Sequence, residues 1–270
     1  MRRSGFSVVE LLIALLIASV VGAASVRLLL QQRMAFGAQV ARSEHGASVR
    51  VAHAFFHSEL STLDPSDGDL TVMEAARIVY RGTRSVSFVC VTPDPSGPLT
   101  VHAPLISWRP VDPEVDSLLV FAEGDVLTRA DDRWVHADVT SVSTSTCDDG
   151  MPGRLISATP VHGATLGAVR LGAPVRIGSM HEVRIYRGGE GDWWLGERRF
   201  GKAGGWPTIQ PVLGPLERGG LEFRYRDAIG QPVSTPQDVA LIEIRIQPKP
   251  NHPAISSLPP SLMRVALRGR

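Results

Sequence analysis

At 270 residues the chain has room for one or two domains and a substantial core. Its 28 Lys and Arg nearly balance its 27 Asp and Glu, with no basic stripe, which argues against a nucleic-acid-binding domain held by phosphate contacts. The 20 Pro and 26 Gly are scattered and not periodic, a pattern of many turns between short strands, and no internal repeat is visible.

The chain opens with Met1-Arg2-Arg3-Ser4-Gly5, and an apolar run follows from Phe6 to Leu30. About 20 apolar residues in a helix span a bilayer core, so the run is a transmembrane candidate by length. From Phe6 to Val26 its only charge is Glu10, and a carboxylate at that depth is costly enough to mark a function and a partner. A secretory signal would have a shorter apolar region and an Ala-x-Ala type site. A plain signal anchor explains the apolar run but not Gly-Phe together with the Glu. Arg27, Arg33 and Arg42 follow the Phe6–Val26 span, so both flanks are basic and charge alone does not orient it.

The segment Gly5-Phe6-Ser7-Val8-Val9-Glu10-Leu11 resembles the N-terminus of type IV prepilins, which include the pseudopilins of type II secretion. The resemblance implies that a prepilin peptidase cuts between Gly5 and Phe6 and methylates the new amine of Phe6. It also implies that Glu10 pairs with the Phe6 amine of a neighbouring subunit and sets the register of a filament. The residue chemistry suits these roles. Gly5 lets an extended peptide thread a protease cleft, and two buried charges are tolerable only as a pair.

No Pro occurs before Pro65, so one helix can run from Phe6 to about Leu63, with Gly22, Gly37 and Gly46 as its weak points. Val49, Ala52, Phe56, Leu60 and Leu63 step by three or four and form one apolar stripe that faces a core. Arg42, Glu44 and Arg50 are available for the polar side. Asp64-Pro65-Ser66-Asp67-Gly68-Asp69 then stops the helix. Its spacing does not fit an EF-hand loop, and it reads as a solvated turn.

Strand-like runs follow: Ala76–Tyr80, Ser85–Val91, Leu105–Trp108, Ser117–Ala122, Asp125–Thr128, Arg133–His136, Arg154–Ser157, Ala173–Ile177 and His181–Tyr186. Asp131-Asp132 suggests a hairpin between the runs at 125–128 and 133–136. Three later runs alternate strictly: Gly220–Asp227, Val239–Gln247 and Met263–Arg268. Leu221, Phe223 and Tyr225 share one face, and Ile242, Ile244 and Ile246 lie opposite Leu241, Glu243 and Arg245. This tail resembles the final sheet of J-type pseudopilins and PilW-like minor pilins.

The two cysteines, Cys90 and Cys147, can pair in an oxidising compartment such as the periplasm, or remain separate thiols with Cys90 a buried strand residue. His53 and His57 are spaced to share a metal, but the segment lacks the Glu of His-Glu-x-x-His and no third ligand is in view. They read as helix-surface residues. Gly201-Lys202-Ala203-Gly204-Gly205-Trp206 lacks the order of a phosphate loop. No Gly-x-Ser-x-Gly elbow occurs, and nothing ties any Ser, His and Asp together. Trp193 and Trp194 are either an adhesive surface or one ring in the core and one in a turn.

The expectation is therefore an α+β protein that is not an enzyme, with no cofactor and no metal. A leader occupies 1–5 and a transmembrane and assembly helix 6–30. An amphipathic continuation covers 31–64, packed on a periplasmic antiparallel β-rich head at 65–270. The resemblance implies a minor pilin or pseudopilin of the inner membrane, then of a pilus or pseudopilus. Its partners would be the prepilin peptidase, other pilins, an inner-membrane assembly platform and the lipid bilayer. The alternative is a single-pass anchored periplasmic domain with a binding or enzymatic role.

Overall fold

The computed structural model describes residues 8–94, 98–102, 106–107, 110–124, 127, 131–161 and 166–268. The ends of the expected run Leu105–Trp108 and most of the run Asp125–Thr128 lie outside the described residues. The chain divides into two units, one of residues up to Val49 with Pro250–Pro259, the other of Arg50–Lys249 with Pro260–Arg270.

The first unit is most of helix α1 (Val8–Leu60) and one loop. Leu, Ala and Val dominate the early turns, and the absence of Pro leaves the hydrogen-bond ladder unbroken. Every residue from Val8 to Phe36 is exposed. The two hydroxyls in that stretch turn back on the helix, Ser19 donating to the Leu16 carbonyl and Ser25 to that of Val21. Neither therefore leaves an unmet polar group in an apolar medium. Further along, the loop at Pro250–Pro259 lies on the helix. The His252 ring sits 3.6 Å from where a Cβ on Gly37 would be, and Asn251 donates to Glu44 at 2.7 Å.

In the second unit, Ala52, Phe56 and Leu60 at the end of α1, with Leu63 beyond it, are fully buried. The strands are β1 (Leu70–Glu74), β2 (Arg77–Phe88), β3 (Leu99–His102), β4 (Ile106–Ser107), β5 (Asp116–Ala122) and β6 (Arg133–Thr146). They continue as β7 (Pro152–Pro160), β8 (Pro174–Arg187), β9 (Trp193–Arg199), β10 (Gln210–Arg226), β11 (Leu241–Pro248) and β12 (Ser261–Ala266). They form one antiparallel sheet in the order β12-β11-β10-β9-β8-β5-β6-β7-β3, with β2 also paired to β8 and carrying β1 and β4. The molecule is thus α+β, a long N-terminal helix followed by a large antiparallel head.

The long strands β2 and β8 serve two cores. Around the first, β1, β2 and β8 to β12 wrap the end of α1. Phe56 meets Phe223 edge-on at 5.6 Å, amid Tyr80, Val183, Leu195, Ile242, Ile244 and Val265. Around the second, β2, β8, β5, β6, β7 and β3 close on themselves through a bridge between Val89 and Val101. Leu99, Leu118, Val120, Val135, Ile156, Val175 and Ile177 fill the interior. Each strand sends alternate residues inward, as the pleat requires.

Two expectations about strands change. The runs at 76–80 and 85–91 are one strand, β2, and those at 173–177 and 181–186 are one strand, β8. The glycines that interrupt each pattern, Gly82 and Gly178, lie where the two backbones meet. A Cβ on Gly178 would stand 2.4 Å from the Gly82 carbonyl oxygen. The hairpin partner of β6 is β5, with Ala122 opposite Arg133. Cys90, just after β2, and Cys147, just after β6, form a disulfide with Cα atoms 5.2 Å apart.

Candidate functional site

Glu10 lies in the first turn of α1 and is exposed. The helix dipole favours an anion there. Around it, Val8, Val9, Leu11, Leu12, Ile13 and Leu15 are exposed, and the apolar surface continues through Leu30 and Phe36. An apolar surface of that extent is not stable in water and requires lipid or other helices to cover it. The helix is long and apolar enough to cross a membrane. Gly5 and Phe6, the expected cleavage and methylation positions, lie outside the described residues.

The head holds several polar clusters that the sequence did not reveal. At the end of α1, Arg84 makes two hydrogen bonds to Glu59, at 3.0 and 2.9 Å, and the buried Tyr80 hydroxyl donates to the same carboxylate at 2.9 Å. Burial works to raise the Glu59 pKa, but the bonds from Arg84, its charge and the Tyr80 hydroxyl outweigh it and hold the group below its ordinary value. Arg84 also reaches His181 Nε2 at 2.8 Å, and His181 Nδ1 lies 2.5 Å from Glu197. Donor atoms of Glu59, His181 and Glu197 lie within 4.8 Å of one another, a spacing suited to a metal ion. The guanidinium of Arg84 already supplies the cation there, bonded to two of the three.

Ser179 Oγ stands 3.0 Å from His181 Nε2, so Ser179, His181 and Glu197 make the hydrogen-bond sequence of a nucleophile relay. Sequence reading tied no such three together, because their contacts depend on the β8–β9 pairing. A cavity of about 810 Å³ adjoins them, lined by His181, Glu197, Arg84 and Arg199 among others. Ser179 is fully buried and is not part of its lining. A nucleophile must meet its substrate, and the buried Ser179 hydroxyl here serves an internal polar network.

The turn after α1 is only partly solvated. Asp69 is fully buried, and Arg176 binds both Asp67 and Asp69 while stacking over Trp134 at 5.5 Å. The buried Asp69 carboxylate, paired with Arg176, ties the turn to β8. Burial and the neighbouring Asp64 carboxylate push the Asp67 pKa up to about 6 in spite of Arg176. Burial followed by the Arg81 charge lowers the His136 pKa, although the contact of Nε2 with the Asp67 carbonyl at 3.1 Å and the Asp69 charge work to raise it. Lys202, in the glycine-rich loop, donates to the carbonyls of Pro113, Asp116 and Val139. That loop is a structural tie and holds no phosphate-loop geometry.

The remaining candidates are accounted for within the fold. His53 and His57 are exposed on α1, and His53 Nε2 lies 3.4 Å from the Ser261 hydroxyl. Trp193 and Trp194 are both half-buried. Trp193 packs against the first core, and Trp194 lies against Gly214, where a Cβ would come within 2.6 Å of its ring.

A family model for the prokaryotic N-terminal methylation motif matches residues 1–26. The match makes the N-terminal region type IV prepilin-like, and prepilins are structural subunits processed by a peptidase. No curated protein and no solved structure matches the chain. The likeness therefore covers Gly5, Phe6 and Glu10, while the head stands on its own geometry.

Proposed function

We propose that the chain is a minor pilin or pseudopilin subunit. The observation that carries this reading is the methylation motif at 1–26 together with a helix whose residues Val8–Phe36 are all exposed. On this reading residues 1–5 are a leader, cut between Gly5 and Phe6, and Phe6 is methylated. Residues 6–30 lie in the inner membrane, 31–64 continue the helix, and 65–270 form a periplasmic head. Glu10 pairs with the Phe6 amine of a neighbouring subunit, since a carboxylate in hydrocarbon needs a cation. The bare helix surface is then covered first by lipid and later by other pilin helices, where close packing replaces lipid contacts.

Two features favour a tip or initiation role over a repeated shaft. The head is a twelve-strand sheet around two cores, bulky for a position where every head must fit its neighbours. The helix also carries its own loop at Gly37 and Glu44, which occupies a face that a shaft neighbour would need. The subunit would serve either type II secretion or a type IV pilus, with the inner-membrane assembly platform and other pilins as partners.

The test is replacement of Glu10 by Ala in the full chain, followed by crosslinking of membrane-embedded protein to co-expressed pilins. Loss of heterotypic crosslinks, with the head still folded, supports the assembly role. Undiminished crosslinking and assembly would leave a plain membrane anchor carrying a periplasmic binding or enzymatic domain.

A further inference from the structure

The disulfide has a neighbour that a purely structural staple does not need. His102, on β3, places Nδ1 3.5 Å from the Cys147 sulfur. Its other nitrogen, Nε2, faces Asp149 Oδ2 at 3.6 Å. Donor atoms of Cys90, His102 and Cys147 lie within 4.8 Å of one another. Both cysteines are buried, and His102 is half-exposed, so the cluster has a protein side and a solvent side.

The surrounding backbone fixes each member. Cys90 N–H donates to the Thr100 carbonyl, two residues before His102, and Asp148 N–H donates to the Cys90 carbonyl. A tight turn with Gly150 at φ +80° follows, in which Gly150 N–H donates to the Cys147 carbonyl. Asp149 is oriented within that turn. Its Oδ1 accepts from Met151 N–H at 2.9 Å, which leaves Oδ2 for His102. Gly153 packs directly under the sulfur, where a Cβ would lie 3.0 Å from Cys147 Sγ.

We propose that in its dithiol form this cluster is a binding site for a thiophilic metal ion of the zinc class, ligated by Cys90, Cys147 and His102 Nδ1, with Asp149 as the outer carboxylate. The geometry supplies the scale. Zinc–sulfur and zinc–nitrogen bonds of about 2.3 and 2.0 Å set a tetrahedral sulfur–nitrogen edge of about 3.5 Å. The distance from His102 Nδ1 to Cys147 Sγ is 3.5 Å. The sulfurs must part to about 3.8 Å, which breaking the disulfide allows. A ligating His whose second nitrogen faces a carboxylate is the arrangement that fixes ring orientation and raises ligand basicity. The fourth position is open to water on the exposed side.

The chemistry balances without hidden partners. The chain as synthesised carries two thiols. From the disulfide form, a dithiol reductant transfers two electrons and two protons to the sulfurs and closes to its own disulfide. Metal binding then releases the two thiol protons and leaves two thiolates on the ion. Disulfide and metal are thus alternative closures of the same junction between the ends of β2 and β6.

The test uses the full chain in detergent, reduced by an immobilised reductant and kept anaerobic, and titrated with Co²⁺ as the spectroscopic probe. The expected result is one equivalent bound, with thiolate-to-cobalt charge transfer and the strong visible bands of a tetrahedral site, bleached by Zn²⁺. The disulfide form gives none of these. His102→Ala weakens Co²⁺ binding by about a hundredfold or more, and Asp149→Asn, which keeps all three ligands, weakens it about tenfold. Near-ultraviolet circular dichroism reports the fold throughout. The proposal is overturned if the reduced protein takes up no Co²⁺, if His102→Ala binds it equally well, or if reduction abolishes the tertiary signal and Co²⁺ does not restore it.

Discussion

Glu59 and Arg84 show how one buried pair carries more consequence than many surface charges. Both side chains are mostly buried, and among the described residues Glu59 is the carboxylate hydrogen-bonded to Arg84. Glu59→Gln leaves that guanidinium buried without its anion, at an expected cost of about 3 kcal/mol at pH 7. The folded pKa of Glu59 lies below the ordinary value of 4.5, so the native state favours the ionised form. The stabilisation is complete above that value and is lost as pH falls through the lower folded one. Urea unfolding should therefore separate wild type from variant by more at pH 7 than at pH 3. An equal deficit at both would contradict the assignment. Asp67 behaves in the opposite sense. Its folded pKa of about 6 lies above the ordinary 3.8, so its contribution favours folding at low pH and is lost as pH rises between those values. Asp67→Asn should raise the melting temperature at pH 7 and leave it unchanged near pH 4. A variant less stable than wild type at pH 7 would show that the bond from Arg176 outweighs burial.

The elements differ in how openly the sequence displayed them. The stripe Val49, Ala52, Phe56, Leu60 and Leu63 was readable because a single face repeats at the helical period; the last four are buried together, while Val49 is half-buried and outside that core. The alternation of β11, β12 and the second half of β10 was readable for the same reason at period two, while Gln210–Gly219 was not read as strand. Phe223 pairs with Ile244, and Ile244 with Met263, all facing the first core. Strands β2 and β8 were not readable as continuous, since Gly82 and Gly178 break the apolar pattern where backbone contact replaces side-chain contact. Phe56→Ala should cost about 3 to 5 kcal/mol, measured as a lower denaturation midpoint, because the ring has Phe223 and Phe55 as neighbours and little room to collapse. Gly178→Ala should be at least as damaging through overpacking, although it adds only a methyl group. A wild-type melting temperature for that variant would mean that β2 and β8 do not meet so closely.

For the molecule as a whole, the sequence displayed its family likeness at the N-terminus and kept the polar clusters of the head hidden. The motif at Gly5, Phe6 and Glu10 is local in sequence and could be read directly. The clusters around Arg84, Arg176 and Cys147 bring together residues from distant strands, so no spacing rule could find them. Asp69 illustrates the gap. It sits among turn-forming residues, yet Arg176 on β8 draws it into the interior. His102 likewise had no signal until β3 and the turn after β6 were joined. The two ends also make separate demands, since the exposed apolar helix needs a membrane or other helices while the head folds on two cores of its own. Glu10→Ala should accordingly leave the head's denaturation midpoint unchanged while removing contacts to other subunits.

The most direct measurement is the intact mass of the membrane-extracted protein from cells with and without prepilin peptidase. A chain that begins at Phe6 and carries one added methyl group in the first strain, and an uncut chain from Met1 in the second, is the expected result. An uncut, unmethylated chain in both strains would contradict the pilin reading and leave the helix as an ordinary anchor.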